Sequence, residues 1–318
     1  MRRLSLVGMA AWLGAWTSVY LGVGTSLVGC TAPGVMPAVD AGTADRVRVA
    51  TFNVRRFFDT VCDSGSCDAD DYEVQPTPSY FDARAAQLAT AIRRLDADVV
   101  SLQEVETQAC LDALLIQLAD ELPHGVLGEI GTAASVDVAI LSRTPIEQVV
   151  GHRADQPLTR PDGTLTTFSR ELLEVHVHAG TGGKVVLVAA HFRSKSSDDP
   201  GRRLAEAQVS AVVVRDLAAA QPGALVVLGG DLNDTPGSAP LNALTVDGGL
   251  VRVADDLPVA AQATYEYNGQ GQAIDHLLLA PTPVATRVPR SSRVWQDDGG
   301  WGGSDHYALT SDFVVTPP

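Results

Sequence analysis

Basic residues are scarce in this chain of 318 residues, and lysine occurs only at positions 184 and 195. The 23 lysines and arginines face 38 aspartates and glutamates, which leaves a formal net charge of −15. The field of such a body repels polyanions over most of its surface. The composition therefore excludes nucleic-acid binding through a generally basic surface. Any such affinity would need a local basic patch together with a metal ion.

Cysteine is also rare, with four residues in the whole chain. The spacing of Cys62 and Cys67 could close a small disulfide loop in an oxidising compartment. A zinc site is the weaker alternative, because these two residues lack a second Cys/His pair nearby. Cys110 begins an apolar helical pattern and is predicted to be a buried free thiol. The chain also lacks repeats and coiled-coil heptads. Its length and moderate apolar fraction allow one large core, which favours one domain at 46–316.

The N-terminal segment has the three parts of a secretory leader: two arginines, an apolar stretch and a small-residue end. That end, LVGC, resembles a bacterial lipobox, which predicts a signal peptide at 1–29 and lipidation of Cys30. An uncleaved membrane anchor is the alternative, because the apolar stretch is long enough to span a bilayer. Residues 30–45 are rich in Ala, Gly and Pro, and are predicted to form a flexible tether.

This leader predicts export, with attached lipid chains holding the protein in the cell envelope by apolar burial. If the source is a Gram-negative bacterium, the expected location is the outer membrane. The membrane is therefore a predicted partner through the anchor at Cys30 alone.

Hydrophobic periodicity predicts a mixed α/β chain, in which a helical repeat places Leu88, Ile92 and Leu95 on one face. Helices alternate with strands early, whereas later strands follow one another closely. This order favours two packed mixed β-sheets flanked by helices, a four-layer α/β sandwich. The predicted strands are 46–54, 97–105, 136–143, 165–178, 184–192, 224–232, 273–281 and 306–315, and the predicted helices are 83–95, 109–122 and 204–220.

Short polar motifs follow the predicted strands, where strand-to-loop junctions can form one rim. The sharpest are GGDLND at 229–234 and GGSDH at 302–306. In each motif a carboxylate stands beside a second polar group, and such groups can bind a divalent ion, orient water and steady a phosphoryl group. The ordered set is Asn53, Glu104, His191, Asp231, Asn233, Asp275, Ser304, Asp305 and His306.

This ordered set resembles the endonuclease/exonuclease/phosphatase superfamily, which includes pancreatic-type deoxyribonucleases, abasic-site endonucleases, inositol polyphosphate phosphatases and bacterial sphingomyelinases. The resemblance covers residues 46–316, and HFRSK at 191–195 looks most like secreted bacterial nuclease-type members. It implies the four-layer sandwich, hydrolysis of a phosphoester and a metal-binding glutamate at Glu104.

Glu104 ends an apolar run that is predicted to be buried, so its ionised carboxylate needs a positive partner. Mg²⁺ would supply one, since magnesium takes one or two protein carboxylates together with phosphate and water oxygens. Asn53 could offer its carbonyl oxygen to the same ion, and Asp305 is the third predicted ligand. Mn²⁺ or Ca²⁺ could take the place of Mg²⁺. A salt bridge to a nearby arginine is the alternative for Glu104.

Asp275 and His306 are predicted to be an acid–base pair, because a carboxylate on one imidazole nitrogen leaves the other to take a proton or stabilise charge. Asp231 could orient the attacking water or help the metal, and Asn233 could donate to a phosphate oxygen. His191 is assigned to phosphate binding or leaving-group protonation, with a structural histidine as the alternative. An ordinary turn is the alternative for the aspartate–asparagine segment.

Substrate contacts are predicted for Arg193 and Lys195, which lie beside His191, and for Arg170, which matches a family position near the active site. A solvated loop offset by neighbouring aspartates is the alternative for the basic residues. Pancreatic-type deoxyribonucleases carry an arginine for the minor groove two residues after the metal-binding glutamate. Here that residue is Glu106, which disfavours tight duplex binding in that style. The basic neighbourhood comprises Arg193, Lys195, Arg202 and Arg203.

Together these features predict an exported, metal-dependent phosphodiesterase, a nuclease acting on DNA or RNA. A phosphatase or a sphingomyelinase-like phospholipase C is the alternative on the same fold, although no long apolar hairpin is present to enter a bilayer. A catalytically silent surface protein is disfavoured by the full set of polar site residues. No protein partner is indicated, and we expect a monomer. An acidic loop at 59–73 could hold calcium but lacks EF-hand spacing.

Overall fold

The computed structural model of the protein describes residues 44–180, 182–296 and 301–316. Within these ranges the chain forms seventeen β-strands and four α-helices. The strands are β1 (Asp45–Phe57), β2 (Val99–Val105), β3 (His124–Gly128), β4 (Asp137–Ser142), β5 (Ile146–Gly151), β6 (Leu158–Thr159), β7 (Leu165–Thr166), β8 (Leu173–Ala179), β9 (Gly183–His191), β10 (Ala224–Asp231), β11 (Val251–Arg252), β12 (Tyr265–Tyr267), β13 (Gln270–Gln272), β14 (Asp275–Ala280), β15 (Ala285–Arg287), β16 (Arg293–Val294) and β17 (Leu309–Val315). The helices are α1 (Pro78–Leu95), α2 (Gln108–Gln117), α3 (Pro200–Ala220) and α4 (Ala239–Thr245).

Two large mixed sheets organise these strands. The first has the order β15-β17-β1-β2-β4-β3, with β16 also paired to β17, and the second has the order β11-β14-β10-β9-β8-β5. In the first sheet β1 is parallel to β2 and antiparallel to β17. In the second, β10 is parallel to β9 and antiparallel to β14. Each sheet therefore has a central strand with one parallel and one antiparallel neighbour.

Three hydrophobic clusters define the layers. The central cluster joins the inner faces of both sheets, with Val49 from one and Leu187 and Val227 from the other. A second cluster packs α1 and α2 on the outside of the first sheet, and a third packs α3 and α4 on the outside of the second. Because each sheet buries both faces, the arrangement is helix, sheet, sheet, helix. The predicted four-layer α/β sandwich is confirmed.

Helix α1 begins earlier than its apolar repeat predicts. Thr77 caps the helix by accepting the N–H of Tyr80, and Pro78 occupies a first-turn position, where its missing N–H costs nothing. The helix ends before Asp96, which adopts the left-handed conformation. The predicted face that contains Leu88 is fully buried against the sheet. The core-facing part of the helix was thus predictable. The N-terminal cap makes the helix start at Pro78, about one turn before the predicted start at residue 83.

The strand predicted at 165–178 is wrong in its middle. The chain pairs briefly as β7, bends at residues 169–170, and resumes as β8. The bend exists because its polar groups bond elsewhere: Ser169 N donates to Glu206 Oε1 at 2.7 Å, and Arg170 Nε donates to Val136 O at 3.2 Å. The helix predicted at 109–122 also ends early, at Gln117.

The cysteines fall in three different settings. Cys62 and Cys67 form a disulfide with a Cα–Cα distance of 5.9 Å. Cys110 is a buried free thiol that donates to Phe57 O at 3.1 Å. Cys30 lies outside the described residues, together with the predicted signal peptide and nearly all of the predicted tether. In the described ranges, no helix has both the length and the apolar character to cross a membrane.

Candidate active site

The strand register brings three predicted site residues into one row. On the second sheet, Asp231 of β10 is paired with His191 of β9 on one side and with Asp275 of β14 on the other. Side chains alternate along a strand, and Val227 of β10 points into the layer between the sheets. Asp231 therefore points the same way, and the row closes one end of the layer between the sheets.

The two glycines before Asp231 serve packing between strands. A Cβ on Gly230 would lie 1.9 Å from the carbonyl oxygen of Ala190, and a Cβ on Gly229 would lie 2.9 Å from a methyl of Leu277. Both glycines are therefore required by the close packing of their neighbours. They allow β9, β10 and β14 to approach closely enough to set the row of polar side chains.

His306 is oriented from two sides. Its Nδ1 lies 2.9 Å from Asp275 Oδ2, and its Nε2 faces Asp231 Oδ2 at 4.0 Å. The backbone is fixed by Ser304, whose Oγ accepts the N–H of His306 at 3.0 Å and donates to Asn53 O at 2.7 Å. A hydroxyl thus ties the histidine loop to the end of β1. The predicted acid–base pair lies within hydrogen-bonding distance.

Burial and charge give these groups unusual protonation. Burial, with the charge of Asp275, raises the pKa of Asp231 to about 7. Burial lowers the pKa of His306, but the charge and hydrogen bond of Asp275 and the charge of Asp231 raise it to about 10. Burial, followed by the charges of Arg170 and His306, lowers the pKa of His191 well below its ordinary value. The site therefore combines an imidazolium with a neutral imidazole.

Asn53 connects the two sheets. Its Nδ2 donates to Glu104 Oε1 at 3.2 Å and to Asp231 Oδ2 at 3.0 Å, while its Oδ1 accepts the N–H of Arg55 at 2.9 Å. The second oxygen of Glu104 accepts the N–H of Arg56 at 2.8 Å. The sequence predicted that the carbonyl oxygen of Asn53 would face the ion at Glu104. Here its amide nitrogen faces Glu104 instead.

The rim of the site is made from left-handed backbone. Four of the non-glycine residues that line the site have positive φ: Arg55 (55°), Arg56 (42°), Glu104 (67°) and Asn233 (53°). Glu104 lies where the pairing of β2 with β4 shifts register, between Gln103 and Val105. Such conformations cost about 1–3 kcal/mol each and persist only where the surrounding structure holds them. The shift turns Glu104 toward the cavity.

A cavity of about 550 Å³ opens above these groups. Glu104, Asp231 and both His191 and His306 line it, as does Asn233. Asp305 lines it as well, with Oδ2 3.4 Å from Arg55 Nε. The cavity walls also include Arg55, Arg56, Tyr265 and Tyr267. Six of the predicted catalytic and metal-binding residues therefore line one cavity, and the other two, Asn53 and Asp275, hydrogen-bond to Glu104 and His306 of that set.

Of the three residues predicted to contact substrate, one lines the cavity and two do not. Lys195 lines the cavity, and its Nζ lies 3.0 Å from Asp234 Oδ1. Arg193 Nε instead donates to Ser197 O at 2.9 Å. Arg170 lies outside the cavity wall and acts on the site through its charge beside His191.

Arg203, counted in the basic neighbourhood, does not belong to an exposed patch. It is 3% exposed and its guanidinium lies within 3.0 Å of Asp198 and Asp234. The basic residues that do reach the cavity from elsewhere are Arg55 and Arg56, both exposed. The sequence shows that both arginines directly follow Asn53 and Val54, but it does not show that they reach the cavity.

The Endonuclease/Exonuclease/phosphatase family model matches residues 50–306. Because this match covers most of the chain, the protein belongs to that family. Members of the family are hydrolytic phosphoesterases that use divalent metals, and the acidic groups of this cavity could bind one. A comparison with curated proteins finds no match.

Solved structures of low sequence identity share the fold. The human nocturnin catalytic domain with bound sulfate anion is 14% identical, with a TM-score of 0.60, and the match covers 86% of this chain and 98% of that one. D. rerio TDP2 complexed with single strand DNA product is 18% identical, with a TM-score of 0.58 and coverage of 84% and 98%. An endonuclease/exonuclease/phosphatase from Beutenbergia cavernae DSM 12333 is 20% identical, with a TM-score of 0.58 and coverage of 86% and 72%.

Proposed function

We propose that this protein is a divalent-metal-dependent phosphodiesterase that hydrolyses DNA or RNA. The observation that carries the proposal is the cavity in which Asp231, His306 and His191 meet beside Glu104. Hydrolysis of a phosphodiester needs a base for the attacking water, positive charge at the phosphate and a proton for the leaving oxygen. The cavity supplies a group for each of these tasks.

The residues present fit a hard divalent cation. Asp275 Oδ1 is buried without a hydrogen-bond partner among the described residues, and the pKa of Asp231 is raised first by burial and then by the charge of Asp275. Ligand atoms of Asp231, Asp275 and His306 lie within 4.8 Å of one another. Several carboxylate oxygens around one space are typical of magnesium sites.

We propose that Glu104 holds the ion together with Asn53, whose Nδ2 lies 3.2 Å from Glu104 Oε1, and with Asp305, which lines the same cavity. For Asn53 to act as a ligand, its amide would have to turn its oxygen toward Glu104. When bound, the ion would polarise a phosphoryl oxygen and neutralise part of its charge. Mg²⁺ suits the oxygen-rich set, and Mn²⁺ would bind the same ligands.

Different residues of the chain carry out the two proton transfers. Asp231 Oδ2 accepts the proton of the attacking water, because a carboxyl with a pKa of about 7 is a stronger base than an ordinary one. His306, held by Asp275, keeps its proton and donates it from Nε2 to the leaving oxygen. Neutral His191 binds a phosphate oxygen through Nε2, which lies 3.7 Å from Asp231 Oδ2.

Several features support a nucleic-acid strand as the substrate. Arg55, Arg56 and Lys195 place positive charge along the cavity of an otherwise acidic protein. Glu106 is 2% exposed and accepts the N–H of Asp59 at 2.8 Å, so this position points inward and cannot enter a minor groove. D. rerio TDP2, which shares the fold, was solved with a single strand DNA product. These features favour a single strand over a duplex.

The test compares wild type with Glu104→Gln across a range of Mg²⁺ concentrations. Loss of the charge should raise the Mg²⁺ requirement and lower kcat about 100-fold or more, since metal chemistry contributes several kcal/mol. The control is Glu129→Gln, an exposed residue outside the cavity wall. Wild-type turnover in Glu104→Gln, or in wild type with excess chelator, would exclude the metal-dependent mechanism.

A substrate panel separates this function from its relatives. It contains plasmid DNA, RNA, a bis-aryl phosphodiester, an aryl phosphate monoester and sphingomyelin. The proposal expects cleavage of a polymer and of the small diester. Cleavage of the monoester alone would indicate a phosphatase, and cleavage of sphingomyelin alone would indicate a phospholipase C.

We also propose that the protein is exported and anchored through lipid on Cys30. The support is the LVGC sequence behind a basic, apolar leader, together with the Cys62–Cys67 disulfide, which is typical of oxidising compartments. Metabolic labelling with a fatty-acid analogue should mark wild type and not Cys30→Ser. Equal labelling of the two proteins, or labelling of neither, would contradict the anchor.

A further inference from the structure

A second cavity, of about 470 Å³, adjoins the catalytic one. The two cavities share Arg55 and Arg56, which stand between them. Beyond these arginines the walls are mostly aromatic and apolar, with Phe58, Tyr72 and Tyr80 among them. A group that enters the second cavity can therefore be covalently joined to a phosphate in the first.

Two aromatic side chains and one aliphatic side chain of this cavity are open to solvent. Tyr72 is 49% exposed, Tyr80 is 64% exposed and Val74 is 42% exposed. Aromatic residues make up only 5% of the chain, so this concentration beside the active site is unusual. Neighbouring exposed apolar side chains of this kind mark a surface that binds a ligand.

The wall that carries Tyr72 is a rigid loop. The Cys62–Cys67 disulfide closes its tip. Glu73 is 1% exposed and accepts two backbone N–H groups of the tip, each at 2.7 Å. Gln75 Nε2 donates to Thr60 O at 2.6 Å and fixes the base of the loop. A wall held in this way is preorganised, which lowers the entropy cost of binding.

The opposite wall comes from the first turn of α1, which carries Tyr80 and Phe81. Phe81 stacks on Phe57 with ring centroids 5.3 Å apart. The Arg56 guanidinium lies over the Tyr72 ring, 4.5 Å from its centroid. The exposed ring of Tyr80 therefore stands beside positive charge at the side that faces the active site.

We infer that this second cavity binds one unpaired nucleobase of the substrate, next to the phosphate that is cleaved. The inference rests on the proposed function. The exposed ring of Tyr80 can stack on any base, and Arg55 and Arg56 stand where the connecting phosphates must pass. A base in a duplex would have to leave its stack to enter, so the cavity favours single strands and gives weak sequence preference.

The experiment uses dinucleotides with a single phosphodiester. Wild type is compared on thymidylyl-thymidine and on two analogues that lack the base on the 5′ or the 3′ side. One of the two abasic analogues should lose about 5- to 150-fold in kcat/KM, the range expected for one base–aromatic stack. Tyr80→Ala should lose a similar factor on thymidylyl-thymidine and little on that same analogue, because the lost contact is already absent.

Two variants serve as controls. Tyr80→Phe keeps the ring and should restore most of the kcat/KM that Tyr80→Ala loses on thymidylyl-thymidine. Ile116→Ala trims a side chain that is 75% exposed on α2, outside both cavity walls, and should change nothing.

Three outcomes would overturn the inference, and they are distinguishable. If both abasic analogues match thymidylyl-thymidine, no base is bound. If Tyr80→Ala slows all three dinucleotides equally, the residue is structural. If wild type cleaves neither dinucleotides nor DNA nor RNA, the proposed function itself fails.

Discussion

The two ends of β1 lie in buried polar surroundings of opposite electrostatic character. At its beginning, Arg46 Nε and Arg48 Nε donate to Asp312 at 3.1 and 2.6 Å. Burial alone raises the pKa of Asp312, but the hydrogen bonds and charges of Arg48 and Arg46 outweigh it, and the pKa is lowered. Two cations therefore hold one carboxylate in its charged form.

At the other end, beyond Asn53, carboxylates outnumber the cations that contact them. Asp231 and Asp275 share His306, and burial together with the charge of Asp275 raises the pKa of Asp231 to about 7. The difference teaches where a buried carboxylate stabilises the fold and where it binds a ligand. At the beginning of β1, the matched end, cations balance the carboxylate and the contact stabilises the fold. Beyond Asn53, the unmatched end, carboxylates exceed cations, and such an excess marks a site where a metal or substrate binds.

The largest effect is expected at the unmatched end. Asp231→Asn cannot accept the proton of water, so kcat should fall about 10²- to 10⁴-fold. Because this change removes a buried charge beside Asp275, the free energy of unfolding in chelator should stay equal or rise. Kinetics on a bis-aryl phosphodiester and urea unfolding measure the two quantities. A variant with wild-type kcat would refute the proposed role of Asp231.

The matched end should behave in the opposite way. Asp312→Asn removes charged hydrogen bonds, and the free energy of unfolding should fall by about 1.5–3 kcal/mol. Turnover should be unchanged, because Asp312 lies at the beginning of β1 and the site at its end. If Asp312→Asn lost activity but kept its stability, the comparison between the two ends would be wrong.

The cost of Asp312→Asn should depend on pH. The pKa of Asp312 is lowered in the folded protein relative to about 3.9 in an unfolded chain. Its stabilisation is therefore fully present above about pH 4 and is lost as pH falls through the folded pKa. Urea unfolding of both proteins between neutral and acid pH should show the difference shrink on acidification. A constant difference would exclude the charge as its origin.

Lys195→Ala should have a smaller effect, confined to polymers. Lys195 lines the catalytic cavity, so the dependence of log affinity for single-stranded DNA on log salt should lose a slope of about 1. Hydrolysis of a small diester should hardly change. The matched control is Lys184→Ala, the other lysine of the chain, which is exposed at the opposite end of β9 from His191. Equal salt slopes for the two variants would show that Lys195 does not contact phosphate.

The smallest effect is expected for Arg46→Ala. The Arg46 side chain is 63% exposed, whereas Arg48, which also holds Asp312, is 34% exposed. An exposed ion pair contributes about 0.2–1 kcal/mol, so Arg46→Ala should destabilise far less than Asp312→Asn. Thermal unfolding of the two variants side by side checks this ranking. Equal losses would mean that Arg46 carries the network.

Much of the fold could be predicted because burial leaves periodic patterns. The strand that carries Asp231 reads as an uninterrupted apolar run, and β10 is indeed buried throughout. Helix α3 was predicted from residue 204 but begins at Pro200, where Asp199 caps it by accepting the N–H of Arg202. Short edge strands such as β5 and β11 were missed, because few of their side chains are buried and the pattern is weak.

The sequence by itself determined which residues could do the chemistry, since their types and order along the chain belong to the primary structure. It also determined the alternation that points Asp231 to the same side of its strand as Val227. Tertiary structure decided which charged groups lie close enough to shift one another's pKa. The protonation of His306 and the unmatched charge of Asp231 depend on distances to Asp275 that only strand register sets.

Tertiary structure alone also decided the role of the basic residues. Arg203 is neutralised inside the fold, whereas Arg55 and Arg56 reach the cavity through left-handed backbone at the end of β1. Local sequence does not contain this difference, because an arginine has the same charge and length at each position. Where that charge ends up depends on which carboxylates the packed sheets bring within reach, and such contacts join residues far apart in the chain.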